Sequence, residues 1–413
     1  MSRSSTESTL TDYKRIRSMT LDLCNTLEPE DTVVQSMPDV SPTKWHLAHV
    51  TWFFERFVLE AFDAGYQRLN DTYDYLFNSY YYSAGQMHAR PKRGMLTRPT
   101  LGEVVSYRSH VDAAMVSLLQ TQRDNLELQD RVVLGLNHEQ QHQELLLTDI
   151  KHVLSQNPLQ PPMNPNLINP PATKPDAYAY VDGASGVHSV GAQGPGFCFD
   201  NELPRHDALL HEHRIGVRLV SNAEFLEFIN DGGYRDSNLW LSDGWATVNQ
   251  RGWNRPLYWS DDLTSEFTLG GQRDIDASAP VCHVSFYEAD AFARWVGARL
   301  PTEFEWELAA NTQELQGNFV GENFWHPASG STKQFFGDVW EWTSSAYTPY
   351  PGFTPLQGSL GEYNGKFMCN QITIRGGSCV TSRDHIRASY RSFFYPDSRW
   401  QFLGFRLAKD GLG

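Results

Sequence analysis

Residues 154–175 read LSQNPLQPPMNPNLINPPATKP, with seven prolines and four asparagines in 22 positions. Proline has no amide hydrogen to donate, and its ring clashes with the preceding helical turn. No helix continues through such a stretch and no central strand is built from it. It predicts an interdomain linker or an extended strap, dividing the chain into 1–153 and 176–413. The composition changes across it, with 5 glycines and 2 tryptophans before residue 154 against 26 and 10 after it. A chain of 413 residues is long enough to bury more than one core.

The first part reads as helical. Ser41-Pro42 predicts an N-cap followed by proline at the first helical position, opening a helix to about Phe62. Thr100-Leu101-Gly102-Glu103 has the form of a capping box. A further helix is predicted over about Glu127–His152 and another over Thr9–Thr26, which makes a four-helix bundle the default arrangement. The second part has short apolar runs between turns. Three more possible capping boxes start at Ser221, Ser285 and Thr302. Short helices set among short strands give an α+β class.

A formal net charge of −15 argues against a nucleic-acid or anionic-membrane partner, which would need clustered positive charge. No apolar run reaches the roughly 18–20 residues of a membrane span. The first residues, MSRSSTESTLTDYKRIRS, contain no apolar signal-peptide core. The cysteines Cys24, Cys198, Cys282, Cys369 and Cys379 are scattered without a C-x-x-C, which suits reduced thiols in a cytoplasmic protein.

Within the helix predicted over about Glu127–His152, His138-Glu139-Gln140-Gln141-His142 matches the H-E-x-x-H pattern of zinc peptidases. On a helix, positions 138 and 142 lie about 40° apart around the axis and about 6 Å apart along it, so both imidazoles can reach one ion. Two core histidines satisfied by neighbours is the plainer alternative. One peptidase branch needs Gly and His where Leu145 and Thr148 stand. The other needs a Glu on a following helix, and none occurs between Glu144 and Glu202. Asp149 and His152 are too far along the helix to close a site with both histidines. A third ligand must come from another helix, and SPTKWHLAHVTWFFERF offers His46 and His49. Periodicity does not choose between them. A set of neutral imidazoles suits zinc, iron, copper or nickel alike.

The order S-P-x-x-W-x-x-A-H, N-S-Y-Y, R-P-x-R-G and H-E-x-x-H-Q-E-L resembles the non-heme iron-dependent sulfoxide synthases of ergothioneine biosynthesis. The second half resembles the formylglycine-generating-enzyme-like domain those proteins carry. The matching stretches are Asn201 to His206, Pro280 to Trp306, Gly337 to Trp342, Arg375 to Ser378 and Gly404-Phe405-Arg406. The resemblance implies a DinB-like four-helix bundle (1–153), the Pro-rich linker (154–175) and a C-type-lectin-like domain (176–413). It implies Fe(II) held by His49, His138 and His142, with dioxygen as co-substrate. The implied reaction joins the sulfur of a thiol to C2 of the imidazole of hercynine and leaves a sulfoxide. A formylglycine-generating enzyme itself needs a cysteine pair where Thr381 and Ile386 stand. Cys379 is alone there and reads as a small buried hydrophobe.

The remaining candidates take their roles from this resemblance. Tyr80 and Tyr81, in LFNSYYYSAG, are the candidate proton donors, with Tyr82 an unassigned third. Arg90 and Arg93 are the candidate carboxylate binders of the thiol substrate. Gln141 is placed to orient the substrate imidazole. Phe393 and Trp400 are candidates to hold a trimethylammonium group, Phe394 lying beside them. Glu139 reads as a surface group or as support for a metal ligand.

Both cysteine and γ-glutamylcysteine are used as thiol donors in the family, and the N-S-Y-Y and R-P-x-R-G segments resemble the cysteine-using branch. Three rivals stand beside this reading. One is an ovothiol-type synthase acting on histidine, which usually adds a methyltransferase domain not found in this sequence. Another is a DinB-type metal-dependent thiol transferase. The third is a non-catalytic lectin-like binding module with structural histidines.

Overall fold

The computed structural model describes residues 6–174, 176–330 and 334–411. Residues 1–5 and 412–413, at the outer bounds of the two expected domains, and Pro175, at the end of the expected linker, lie outside the described residues. The chain forms two compact units. The first runs to Met163 and takes in Gly194–Phe197 and Leu356–Tyr363. The second comprises Asn164–Gln193, Cys198–Pro355 and the residues from Asn364 on.

The first unit has helices α1 (Thr6–Asp22), α2 (Thr43–Phe54), α3 (Glu60–Phe62), α4 (Thr72–Phe77), α5 (Leu101–Thr121) and α6 (Leu126–Ser155). Glu55–Leu59 joins α2 to α3 as a π turn, so the run from Thr43 to Phe62 is one helical rod. Such single π turns re-aim the side chains that follow them. Here Phe57 of the turn packs its ring 5.0 Å from that of Tyr81. The four long rods form the bundle, α2 packing on α5 and α6, and α1 on α6. Every residue of α2 is buried, which makes it the inner rod. That explains a sequence apolar all round apart from its histidines, threonines and Lys44.

Thr100 and Glu103 form the reciprocal capping box expected of them. Ser41 does not cap α2. The helix begins at Thr43 with Pro42 at the cap, and the Ser41 N–H instead donates to Asp149 Oδ2 on α6 at 2.8 Å. The Oγ that would cap the helix instead accepts from Arg93 Nη1 at 2.9 Å. Glu139 is not a surface group, and its hydrogen bonds go to other helices rather than to a histidine of the pair. It is fully buried, accepting from Arg17 Nη1 (2.9 Å), Arg108 Nη2 and Thr20 Oγ1 (2.6 Å), and so ties α6 to α1 and α5. The two guanidinium groups hold its carboxyl below its ordinary range against the opposing effect of burial.

The second unit mixes short helices and strands. One antiparallel sheet orders Tyr180–Asp182, His213–Gly216 and Ala408–Asp410. A four-stranded sheet orders Ser392–Phe394, Ile372–Arg375, Trp340–Ala346 and Leu403–Gly404, its last pair parallel. The boxes at Ser221, Ser285 and Thr302 each cap a helix as the sequence predicts. Buried ion pairs knit this unit together. Arg375 donates to Glu303 (2.9 Å) and Glu307 (3.0 Å), Arg391 to Glu303 (2.8 Å), and Arg406 to Glu341 (2.5 Å). Gly337 sits at φ +77°, where a Cβ would come 2.2 Å from Asn318 O, so only glycine fits this turn.

The proline-rich stretch behaves as a strap over its second part. Asn164 N–H donates to Leu269 O and Thr173 N–H to Ser329 Oγ, whose hydroxyl donates to Pro171 O. Helix α6 extends into its first residues, ending at Ser155 rather than His152. No described helix is long and apolar enough to cross a membrane. Cys282 and Cys379 are buried.

Candidate metal centre

Helix periodicity brings His138 and His142 to one face of α6, and the packing of α2 on α6 presents His49 opposite them. The ligating nitrogens of the three all lie within 4.8 Å of one another and all three residues are buried. Among the described residues no other group of three His, Cys, Asp or Glu side chains converges in this way. His49 Nε2 and His138 Nε2 face each other at 3.2 Å.

Hydrogen bonds to the outer nitrogens fix the tautomers. His49 Nδ1 lies 2.6 Å from Phe77 O. A carbonyl only accepts, so Nδ1 carries the proton and Nε2 keeps its lone pair. His46 Nε2 lies 3.0 Å from Asp149 Oδ2, so this nitrogen donates. In the neutral ring His46 Nδ1 is then the acceptor for His142 Nδ1–H, 2.9 Å away. His142 Nε2 is left with a lone pair. His138 Nδ1 is buried without a hydrogen-bond partner. Burial holds all three imidazoles below their ordinary range, that of His138 down to about 3. They are therefore neutral at pH 7, the form that binds a metal. Three converging nitrogens, two with the opposite ring nitrogen already donating, match the donor set of a divalent transition metal.

The structure separates His46 from His49. His49 converges with the α6 pair, whereas His46 lies behind His142 and holds its outer nitrogen. Asp149 does not approach the convergence point but reaches His142 through His46.

The two arginines have different surroundings. Arg90 is exposed and donates to Asp39 O. Arg93 is buried, 3 % exposed, and donates only to neutral hydroxyls, Ser41 Oγ at 2.9 Å and Ser79 Oγ at 3.0 Å, with Nε unpartnered. Its guanidinium carbon lies 3.4 Å from the ring centre of Trp45, which stacks on His49 at 4.6 Å and 11°. Burial, then the charge of Arg90, pull the Arg93 guanidinium well below its ordinary range, and the more distant Asp149 carboxylate only partly offsets them.

Tyr80 and Tyr81 stack at 4.6 Å. Tyr81 is fully buried among Trp52, Phe53 and Phe57, and Tyr80 is half-buried. Burial pushes both hydroxyls above the usual phenol range, that of Tyr81 further raised by Tyr80. Tyr82 is 71 % exposed, which sets it apart from the pair.

The sequence reading missed the segment Leu356–Tyr363. Tyr363 is buried, donates its hydroxyl hydrogen to Gln141 Oε1, and has its ring 5.7 Å from His138 and 6.2 Å from Tyr80. Its neighbour Glu362 accepts the N–H groups of Tyr82 (3.0 Å) and Ser83 (2.9 Å). The plain loop sequence GSLGEYNG carries no local signal of this. In the second unit, Phe393 stacks on Tyr347 at 4.1 Å, and Trp400 meets Phe394 edge-on at 5.7 Å.

Two family models match the chain. Residues 12–146 match the DinB superfamily, and residues 169–334 and 327–411 match the sulfatase-modifying factor enzyme 1-like domain. The chain is 33% identical to a hercynine oxygenase of Mycolicibacterium smegmatis, covering 91% of this chain and 92% of that protein. It is 31% identical to a hercynine oxygenase of Mycobacterium tuberculosis, covering 96% and 97%. A formylglycine-generating enzyme of Streptomyces coelicolor is 29% identical over 53% of this chain and 85% of its own length.

Proposed function

Because this chain belongs to the hercynine oxygenase family and is therefore an oxygenase, we propose that it is an iron(II)- and O2-dependent sulfoxide synthase of ergothioneine biosynthesis. It joins the sulfur of cysteine to C2 of the hercynine imidazole. One thiol, one imidazole C–H and one O2 give one sulfoxide and one water. Four electrons leave the substrates, two in forming the C–S bond and two in oxidising sulfur. The observation that carries the reading is a triad of neutral imidazoles in the same bundle as a buried guanidinium with no carboxylate beside it.

His49, His138 and His142 would hold the iron through their Nε2 atoms. Iron(II) held there would supply the redox centre through which O2 oxidises the two substrates. Arg93 binds the carboxylate of cysteine, an anion that would complete its unfilled hydrogen bonds. Arg90, exposed and engaged with a backbone carbonyl, acts at the entrance to that pocket. Gln141, its Oε1 occupied by Tyr363, presents its NH2 group to the basic nitrogen of the substrate imidazole. Tyr80 and Tyr81 keep their protons to high pH and are the donors for oxygen-derived atoms, while Tyr363, its hydroxyl hydrogen given to Gln141, positions that amide.

The test is aerobic turnover of Fe(II)-loaded protein with hercynine and cysteine, following O2 uptake and product mass. A hercynine–cysteine sulfoxide with one O2 consumed is the expected outcome. Repeating it with γ-glutamylcysteine and with histidine ranks the donors and acceptors. O2-independent transfer, or no coupled product from any pair, overturns the proposal.

A further inference from the structure

Between Arg93 and the histidines runs an unbroken line of buried contacts. Arg93 Nη1 donates to Ser41 Oγ (2.9 Å), and the Ser41 N–H donates to Asp149 Oδ2 (2.8 Å). The same oxygen accepts from His46 Nε2 (3.0 Å), and His46 Nδ1 meets His142 Nδ1 (2.9 Å). Each of these five residues is at most 8 % exposed. Water therefore does little to screen one end from the other.

We propose that this line couples the two sites, so that a carboxylate bound at Arg93 tightens metal binding at His142. The inference rests on the reading of Arg93 as the carboxylate binder. Its sign follows from the charges. With Arg93 lacking an anion, its positive charge draws electron density from the Asp149 carboxylate. An anion arriving at Arg93 cancels that field. Asp149 then accepts more strongly from His46 Nε2–H, His46 Nδ1 becomes the more basic acceptor for His142 Nδ1–H, and His142 Nε2 becomes the stronger donor. Such outer partners of a ligating histidine are worth roughly 10–100-fold in metal affinity when removed. A change in their polarisation alone is expected to be worth about 5–10-fold. Linkage makes the effect reciprocal: the metal tightens carboxylate binding by the same factor. The chain thus favours holding metal and thiol substrate together over holding either alone.

The experiment uses the metal-free full chain, Co(II) as the metal, and L-alanine, which is cysteine without its sulfur. Co(II) affinity is measured by chelator competition with and without saturating L-alanine. L-alanine binding is measured separately by calorimetry. The expected result is a 5–10-fold rise in Co(II) affinity that falls to near one in Asp149→Asn while L-alanine still binds. His46→Gln, which removes the ring between Asp149 and His142, is the second variant, should Asp149→Asn fail to fold, and is expected to behave alike. If L-alanine binds through Arg93 but leaves Co(II) affinity unchanged, or raises it equally in both variants, the coupling is overturned and the Arg93 reading stands. A rise that survives Arg93→Met is direct chelation and overturns the coupling. If L-alanine binds the wild type no better than it binds Arg93→Met, the reading of Arg93 fails and takes the coupling with it.

Discussion

Tyr363 donates its hydroxyl hydrogen to Gln141 Oε1 across 222 residues of sequence. This one contact sets both the donor face of an amide beside His142 and the position of a phenol beside His138. Tyr363→Phe, which removes this hydrogen bond and frees the Gln141 amide to turn, is expected to lower kcat about tenfold, the scale of one lost positioning hydrogen bond. Fe(II) content should be unchanged. Steady-state kinetics with parallel iron analysis checks this. An unaltered kcat would remove Tyr363 from the chemistry.

Glu362 clasps the turn that carries the tyrosines by accepting two backbone N–H groups and the Ser83 hydroxyl. Glu362→Ala should loosen the placement of Tyr80 and Tyr81 without touching the core. We expect a severalfold fall in kcat/KM with a thermal midpoint within a few degrees of wild type. Glu362→Gln, which keeps a single acceptor oxygen, should recover part of the loss.

Glu139 and His138 are neighbours with separate tasks. Glu139→Gln leaves Arg108 buried without its counter-charge and Arg17 with Asp112 alone. The expected cost is about 3–5 kcal/mol of stability, read by urea unfolding, with metal stoichiometry retained in the folded protein. His138→Ala should reverse the pattern, abolishing stoichiometric metal at a smaller cost in stability. Loss of metal in a folded Glu139→Gln would show instead that the carboxylate supports the site.

His385 is buried in the second unit, its Nε2 3.0 Å from the Tyr390 hydroxyl, and burial holds it well below its ordinary range, with Arg387 adding to the effect. Above about pH 6.5 it is neutral in both folded and unfolded chains and contributes no pH dependence. Below that pH the unfolded chain takes up a proton that the folded one refuses. Stability therefore falls as pH falls, by at most about 1.4 kcal/mol per pH unit for this one group. Urea unfolding between pH 7 and pH 5 should show a shallower loss in His385→Gln than in wild type. Equal slopes would rule out this histidine as a source of the acid sensitivity.

The bundle was legible because its signals are local. The 3.6-residue period, the Thr100 box and the proline break each act within a few residues. The spacing of His138 and His142 is likewise a local property of one helix. Choosing His49 over His46 was different, since both fall on the inner side of α2 and only its rotation against α6 decides which ring meets the pair. Resemblance supplied what periodicity did not. Reading Glu139 as a surface group failed because its partners Arg17 and Arg108 stand on other helices, beyond any local pattern. Ser41 was misread because its hydroxyl oxygen, the capping atom, is taken by Arg93 from another segment of the chain. Tyr363 and Glu362 were invisible because a loop of ordinary composition acquires its role only by where folding delivers it.

The stretch from His138 to Gln143 leaves helix α6 without an idle face. Two positions aim at the converging histidines, Glu139 and Gln143 engage α1, and Gln141 meets a loop from the far end of the sequence. A substitution in this stretch is read twice, once by the folding equilibrium and once by the site. Variation in what the protein accepts as substrate would therefore have to enter through the segments around residues 78–93 and 356–363. There, side chains meet the same space from backbone that can change length without unseating a helix. The histidines would be the fixed type and these loops the movable one.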